Sequence, residues 1–273
     1  MNSGSNLLAA GIDDILRTVL SNSGDDLLVV DPAADAVEHL VSVAAAADDA
    51  PHVRLLADER VLKDVMDDFI VASNAADLLA DERLTMRSFE DGAGNALVVT
   101  DDRVMALVTA GDRVAALTTD DAEFVAAARE AYGDRFDTAE PFTLRTPPLS
   151  RVRETLDTEI GEATREDFDT VLASLQTARG DGEGLDEVTI SLLVAARNEV
   201  LLYDISKWGE DVGIASKATF SRTKTKLEDL GLIDTEKVPI DVGRPRLRLK
   251  LGDDRLRGTD ASQLAGVAQS LLH

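Results

Sequence analysis

Residues 216–250 gather nine lysines and arginines against five acids, a net charge of +4 in a 273-residue chain whose formal charge is −24. Lysine and arginine offer N–H donors and positive charge but no acceptors, so a cluster this dense is suited to binding polyanions. Six of the seven lysines lie between Lys207 and Lys250, with Lys63 the exception. A basic helix can also be no more than a solvated face. Here the bias returns in a second segment, Arg244, Arg246, Arg248 and Lys250, which favours contact with a ligand.

The surrounding pattern says how these side chains would be held. Residues 186–199 have the apolar period of a helix and are followed by a short β run at 200–203. Asp204 can cap a second helix through Val212, Gly213-Ile214-Ala215 is a tight turn, and Ser216 is a natural N-cap for a third helix over 217–230 that Gly231 ends. Two β runs follow, 233–239 and 246–251, joined by a turn at 241–245. Helix–strand–helix–turn–helix followed by a β-ribbon predicts a winged helix-turn-helix. At about 100° per residue, Phe220, Thr223, Leu227 and Leu230 share the inner face of the third helix.

The outer face is then Ser216, Lys217, Ala218, Ser221, Arg222, Lys224, Thr225 and Lys226, with Arg244, Pro245 and Arg246 at the tip of the ribbon. Small and hydroxyl side chains permit close approach to a major groove of double-stranded DNA. Arg222 can reach guanine O6 and N7, the lysines can meet phosphates, and the helix N-terminus adds backbone donors. The ribbon tip suits a minor groove or the backbone. Glu228 and Asp241, beside this surface, are expected to take up cations when DNA docks, which would flatten the salt dependence of binding.

The segments SKATFSRTKTKLEDLGLI and VGRPRLRLKL resemble the winged-helix core of many archaeal and bacterial regulators, over about residues 185–252. The whole layout, acidic α/β part first and winged helix last, resembles the haloarchaeal TbsP transcriptional regulators. That resemblance implies sequence-specific control of central carbon metabolism genes, alongside the sugar-responsive TrmB regulators. It also implies a TrmB-like effector module at the N-terminus. Such helices often carry a core aliphatic residue where Lys224 stands, which leaves the outer face open to a shift of one position.

Residues 1–145 read as an α/β sensor or effector domain. A helical pattern runs from Leu7 to Leu20, a strand at 26–31, a helix at 34–47, a strand at 52–57 and a helix at 59–79. Four β runs follow, at 83–89, 96–100, 104–109 and 113–118, and a helix at 121–132 closes this part. Strand–helix–strand–helix implies a parallel sheet, and the later hairpins add antiparallel edges. Ligands of such sheets sit at the carboxyl ends of the strands. Asp31, Asp58, Arg60 and Arg87 are the candidate effector-binding residues, for a small molecule such as a sugar phosphate held bidentately by arginine. In so acidic a chain the weight for each aspartate lies with an ordinary surface residue.

Residues 146–184 read as a charged helical linker, and its stripe of Val152, Leu156, Ile160, Phe168, Leu172 and Leu175 is the expected seam of a homodimer. The winged helix-turn-helix spans 185–258, and a C-terminal helix over 259–273 can join the seam through Leu264, Val267 and Leu271.

Several classes of function are excluded or disfavoured. There are no cysteines, and His39, His52 and His273 are too widely spaced for a metal site, so neither a metal nor another cofactor is expected. No P-loop or GxGxxG follows a strand, no catalytic residues are assigned, and an enzyme is not expected. No apolar run reaches the roughly 18 residues of a membrane span, and the first residues lack a signal-peptide pattern, so a cytoplasmic protein is expected. The excess of Asp and Glu, with arginine outnumbering lysine and few aromatics, reads as adaptation to high salt, where a Debye length of about 3 Å at 1 M mutes repulsion from DNA. A different reading stays open, in which the winged helix of an interaction or scaffold protein binds another protein.

Overall fold

A computed structural model of the chain describes residues 6–9, 11–47, 49–89, 94–111, 113–179, 185–239 and 245–272. They form two compact units. One comprises Met1–Asp67 and Asn74–Leu144, and the other Asp68–Ser73 and Arg145–His273.

The first unit is a mixed sheet with helices on both faces. In chain order its elements are β1 (Leu7–Ala9), α1 (Ile12–Asn22), β2 (Asp26–Val30), α2 (Ala34–Ala46), β3 (His52–Asp58), α3 (Glu59–Val65), α4 (Phe69–Ala80), β4 (Leu84–Phe89), β5 (Leu97–Val99), β6 (Val104–Ala110), β7 (Arg113–Thr119), α5 (Ala122–Thr138) and β8 (Glu140–Pro141). The first turn of α4, through Ser73, belongs with the second unit. The strand order is β1-β7-β6-β5-β2-β3-β4-β8. Strands β2, β3 and β4 are parallel, and every other described pairing is antiparallel.

Leu27, Leu28, Val29 and Val30 are all buried, as expected of a central strand covered on both sides. Leu28, Val30, Leu56, Val99 and Val104 meet Val125, Ala128 and Phe136 of α5. The alternate residues lie on the opposite face, where α1 packs against β7 and α3 against β3.

Two expectations change here. The helical pattern from Leu7 is split, because residues 7–9 pair antiparallel with β7 and form the sheet's edge. The helix expected over 59–79 is broken at 66–68, where Asp68 Oδ1 accepts the Ile70 N–H at 2.8 Å and starts α4 anew.

The second unit continues with α6 (Leu149–Glu159), α7 (Glu162–Ser174), α8 (Glu187–Arg197), α9 (Leu202–Val212), α10 (Lys217–Asp229), β9 (Ile233–Val238), β10 (Arg246–Leu251), α11 (Asp254–Arg257) and α12 (Ala261–Leu272). Strands β9 and β10 form a separate two-stranded antiparallel ribbon. Gly161, at φ 137°, divides the charged helical run into α6 and α7. Val152, Leu156, Phe168 and Leu172 are buried in one core with Leu193, Trp208, Phe220 and Leu264, and Ile160, Leu175, Val267 and Leu271 pack against it. The stripe expected as a dimer seam is therefore the interior of this unit. A 13-residue helix such as α7 gains its stability mainly from burying an apolar face, and the nearest available faces are those of its own chain.

Asp68 is 2 % exposed. Its Oδ2 accepts the Ala178 N–H at 3.2 Å and lies 3.6 Å from Arg179, while the Phe69 N–H donates to the Ala178 carbonyl at 3.0 Å. These bonds fasten the start of α4 to the chain just beyond α7.

Candidate nucleic-acid interface

Helices α9 and α10 meet at a glycine. A Cβ on Gly209 would fall 2.3 Å from the Phe220 ring, so only glycine lets that fully buried ring lie against α9. Gly213 then turns the chain with φ 97°, a left-handed conformation that favours glycine. Ser216 caps α10, its Oγ accepting the Thr219 N–H at 3.2 Å. Phe220 and Leu227 point inward, and Leu230, placed on the inner face by the sequence, is 44 % exposed.

The residues opposite form the outer face. Ser216, Ala218, Ser221, Arg222, Thr225 and Lys226 are exposed, and Lys217 is half-buried. Arg222 Nη2 donates to Thr219 Oγ1 at 3.3 Å, and Thr225 Oγ1 donates to the Ser221 carbonyl at 3.1 Å. Lys217 is held by Glu210, whose carboxylate also accepts the Lys217 N–H at 3.2 Å. That pairing raises the lysine pKa and lowers the glutamate's.

Lys224 departs from the expected face. Only 12 % of its side chain is exposed, and its Nζ lies 2.6 Å from Glu228, which also accepts a hydrogen bond from Thr235 Oγ1 at 2.7 Å. The helix period turns position 224 toward β9, and its ammonium is neutralised there. Glu228 is committed to the same cluster, which removes it as a free carboxylate beside the interface. Arg244 and Asp241 lie outside the described residues.

In the ribbon, Pro245 is exposed. Arg246 stacks over the Tyr203 ring, 4.5 Å from its centroid, and reaches Asp204 at 3.3 Å. Asp204 lies in the first turn of α9 rather than at its cap, because the helix begins two residues earlier, at Leu202. The β run expected at 200–203 reduces to one bridge, Leu201 to Arg248. Arg248 lies 3.9 Å from Glu199 and Lys250 2.7 Å from Glu236.

Among the described residues of the basic island, Arg222, Lys226 and Lys237 make no carboxylate contact, and all three are exposed. Sequence reasoning missed Tyr203 and Glu210. Tyr203 is 48 % exposed, and an aromatic directly before Asp204 is a signal that the sequence carries. Glu210 was not, because its partner Lys217 comes across the turn.

The predicted effector residues sit at or near the carboxyl ends of β2, β3 and β4, each with a structural task or none. Asp31 has φ 50°, and its Oδ2 accepts the Gly94 N–H at 3.2 Å. Asp58 caps α3 by accepting the Arg60 N–H at 2.7 Å, and Arg60 itself is exposed. Arg87 donates to the Ala139 carbonyl at 2.7 Å and lies 5.3 Å from the centre of the Phe136 ring. A depression of about 410 Å³ at the ends of β4 and α5 is lined by Glu59, Ser88, Phe89, Arg135 and Glu140 and by none of the four. A larger one, about 530 Å³, lies between α1 and α2 and includes Arg17, Leu20, Ser42 and Val43. Among the described residues no acidic or histidine cluster could hold a metal ion, and no helix is long and apolar enough to cross a membrane.

Comparison with known proteins gives two matches to protein families. Residues 4–147 match "Transcriptional regulator TbsP-like, N-terminal", and residues 148–269 match "Transcriptional regulator TbsP-like, C-terminal HTH domain". No curated protein matches the chain. Among solved structures, TrmBL2, described as an archaeal chromatin protein with a novel mode of DNA binding, is 13% identical over 50% of this chain and 54% of its own, with a TM-score of 0.37. This chain thus spans about half the length of TrmBL2. A phospholipase D family member, Nuc from Salmonella typhimurium, is 11% identical over 50% of this chain and 97% of its own, with a TM-score of 0.36. NucT from Helicobacter pylori is 14% identical over 50% and 99%, with a TM-score of 0.31. Likenesses this distant carry no argument about activity.

Proposed function

This chain belongs to the TbsP-like transcriptional regulators, and from that premise we propose that it binds promoter DNA sequence-specifically, with α10 in the major groove and the β9–β10 ribbon beside the backbone. The observation that carries the reading is the outer face of α10. Its capped N-terminus and small exposed side chains surround Arg222 and Lys226, whose charge no carboxylate among the described residues offsets. In this reading Arg222 reads a base edge, Lys226 and Lys217 meet phosphates, and Lys224 stays inside. The regulated genes belong to central carbon metabolism in a halophilic archaeon, and the first unit senses a small molecule. The depression beside Arg135 and Phe89 is the place to look for that effector, since it lies where ligands of parallel sheets bind.

The test is selection of bound fragments from a genomic library in molar KCl, followed by anisotropy titration of the enriched site. An enriched motif bound far more tightly than scrambled DNA is the expected result. Retention without sequence preference would overturn it in favour of a protein-binding winged helix. For the effector, a panel of phosphorylated sugars should shift operator affinity by a coupling of about 1–3 kcal/mol. A panel that moves neither that affinity nor the melting temperature would remove the sensing role.

A further inference from the structure

We propose that the β6–β7 face of the sheet unit is the docking surface for a second copy of this chain. Val104 packs toward α5, so alternation puts Ala106 and Val108 on the same face of β6. The register pairs Ala106 with Leu117 and Val108 with Ala115, which puts those two residues on that face of β7. Helix α5 covers the face only near Val99 and Val104. Beyond it Val108 is 45 % exposed and Leu117 50 %, and Phe124, on the first turn of α5, is 55 % exposed. The opposite face of the same hairpin is closed, with Met105, Val114 and Ala116 buried. The open face is therefore an uncovered continuation of a sheet surface that elsewhere in the unit is core.

Charge identifies the occupant. Residues 104–119 hold one acid and one base, Asp112 and Arg113, adjacent in sequence, in a chain in which 29% of residues are charged. Contact between two copies at −24 elsewhere would bury like charges at a desolvation cost that salt does not remove, and this neutral face is where they can meet without it. Its ends are also complementary to each other. Arg113 stands at one end of β7 with no carboxylate contact among the described residues, and Asp120 and Glu123 stand exposed beyond the other end, about 20 Å away along the strand.

A two-fold axis lying in the contact plane and crossing the strands turns one hairpin antiparallel to its mate. Each Arg113 then faces the acidic end of the other copy, and Leu117 and Val108 pack against their counterparts in an isologous contact. This arrangement uses only the sheet unit and is independent of the DNA reading.

Light scattering on the full chain in molar KCl, without DNA, tests it. A mass twice 29.2 kDa at micromolar concentration is expected. Leu117→Glu should give the single-chain mass with an unchanged circular dichroism spectrum. Arg113→Glu should weaken the dimer severalfold, and adding Asp120→Arg and Glu123→Arg to it should restore the dimer. Because the chain has no cysteine, Leu117→Cys should be joined to its counterpart by a short bis-maleimide, while Ser21→Cys on α1, which packs on the other face of the sheet, should not. A single-chain mass for the natural sequence would overturn the proposal, as would a dimer that survives Leu117→Glu. Should Leu117→Glu unfold, the charge reversal decides, and a dimer indifferent to it places the contact elsewhere. None of these results bears on whether α10 reads DNA.

Discussion

Helix α10 and strand β10 draw on the same basic island and use it in opposite ways. Among the described residues the exposed α10 cations Arg222 and Lys226 meet no carboxylate, while Lys217 is held by Glu210 and Lys224, paired with Glu228, faces inward. On β10 every described cation is held by an acid, Arg246 by Asp204, Arg248 by Glu199 and Lys250 by Glu236. Charge density along the sequence is higher in the strand, three cations in six residues against four in thirteen, yet charge available to a partner is greater on the helix. The helix offers free charge for contact, and the strand offers charge that must first exchange one anion for another.

The largest effect separates the inner from the outer side of α10. Phe220→Ala should cost about 3–5 kcal/mol of stability, as removal of a fully buried aromatic does. Chemical denaturation would show it, and Ser221→Ala beside it should fall within experimental error. Arg222→Ala should leave stability intact and cost about 1–3 kcal/mol on the best operator, with relaxed discrimination at one base position. Uniform loss across a randomised operator library would mean that Arg222 meets phosphate and that the outer face is misassigned.

Lys226→Ala should weaken binding on all sequences alike and lower the slope of log K against log salt by about one. Arg248→Ala, already neutralised by Glu199, should change that slope much less. Equal changes in the two would erase the contrast between helix and strand. The smallest effect is a gain. Glu210→Gln frees Lys217, so affinity should rise severalfold and the salt slope should steepen, because a carboxylate able to recapture a cation is gone. An unchanged slope would show that Lys217 stays out of the interface.

The winged helix could be read from sequence because local signals mark each of its joints. Ser216 caps, Gly213 and Gly231 take left-handed backbone, and Phe220 and Leu227 keep the helical period. The signals that failed were also local, but they were answered from a distance. The pattern of residues 7–9 is compatible with a helix until β7 offers a pairing edge. One helix ends at Val65 and Asp68 starts another within a stretch of continuous apolar period. The α6–α7 stripe was correctly read as apolar, yet periodicity measures only that a face needs covering and does not say which chain covers it. Position 224 shows the same limit for charge, since nothing in its neighbours reveals that Glu228 and Thr235 would enclose it.

The bonds around Asp68 bear on how this chain can be cut and in what order it can be made. The regulator's second unit is discontinuous, because the six residues Asp68–Ser73 belong to it although they precede its main segment by some seventy positions. A fragment starting at residue 145 carries the whole winged helix but leaves the Ala178 N–H and Arg179 without their carboxylate, and the core without Phe69. Such a fragment should express as a loosened version of the unit, and grafting Asp68–Ser73 onto it should tighten the fold more than trimming its tail does. On the ribosome the same bonds impose a wait. The first turn of α4 emerges early and cannot reach its final partners until residue 179 has left the exit tunnel, so the second unit completes itself only late in synthesis.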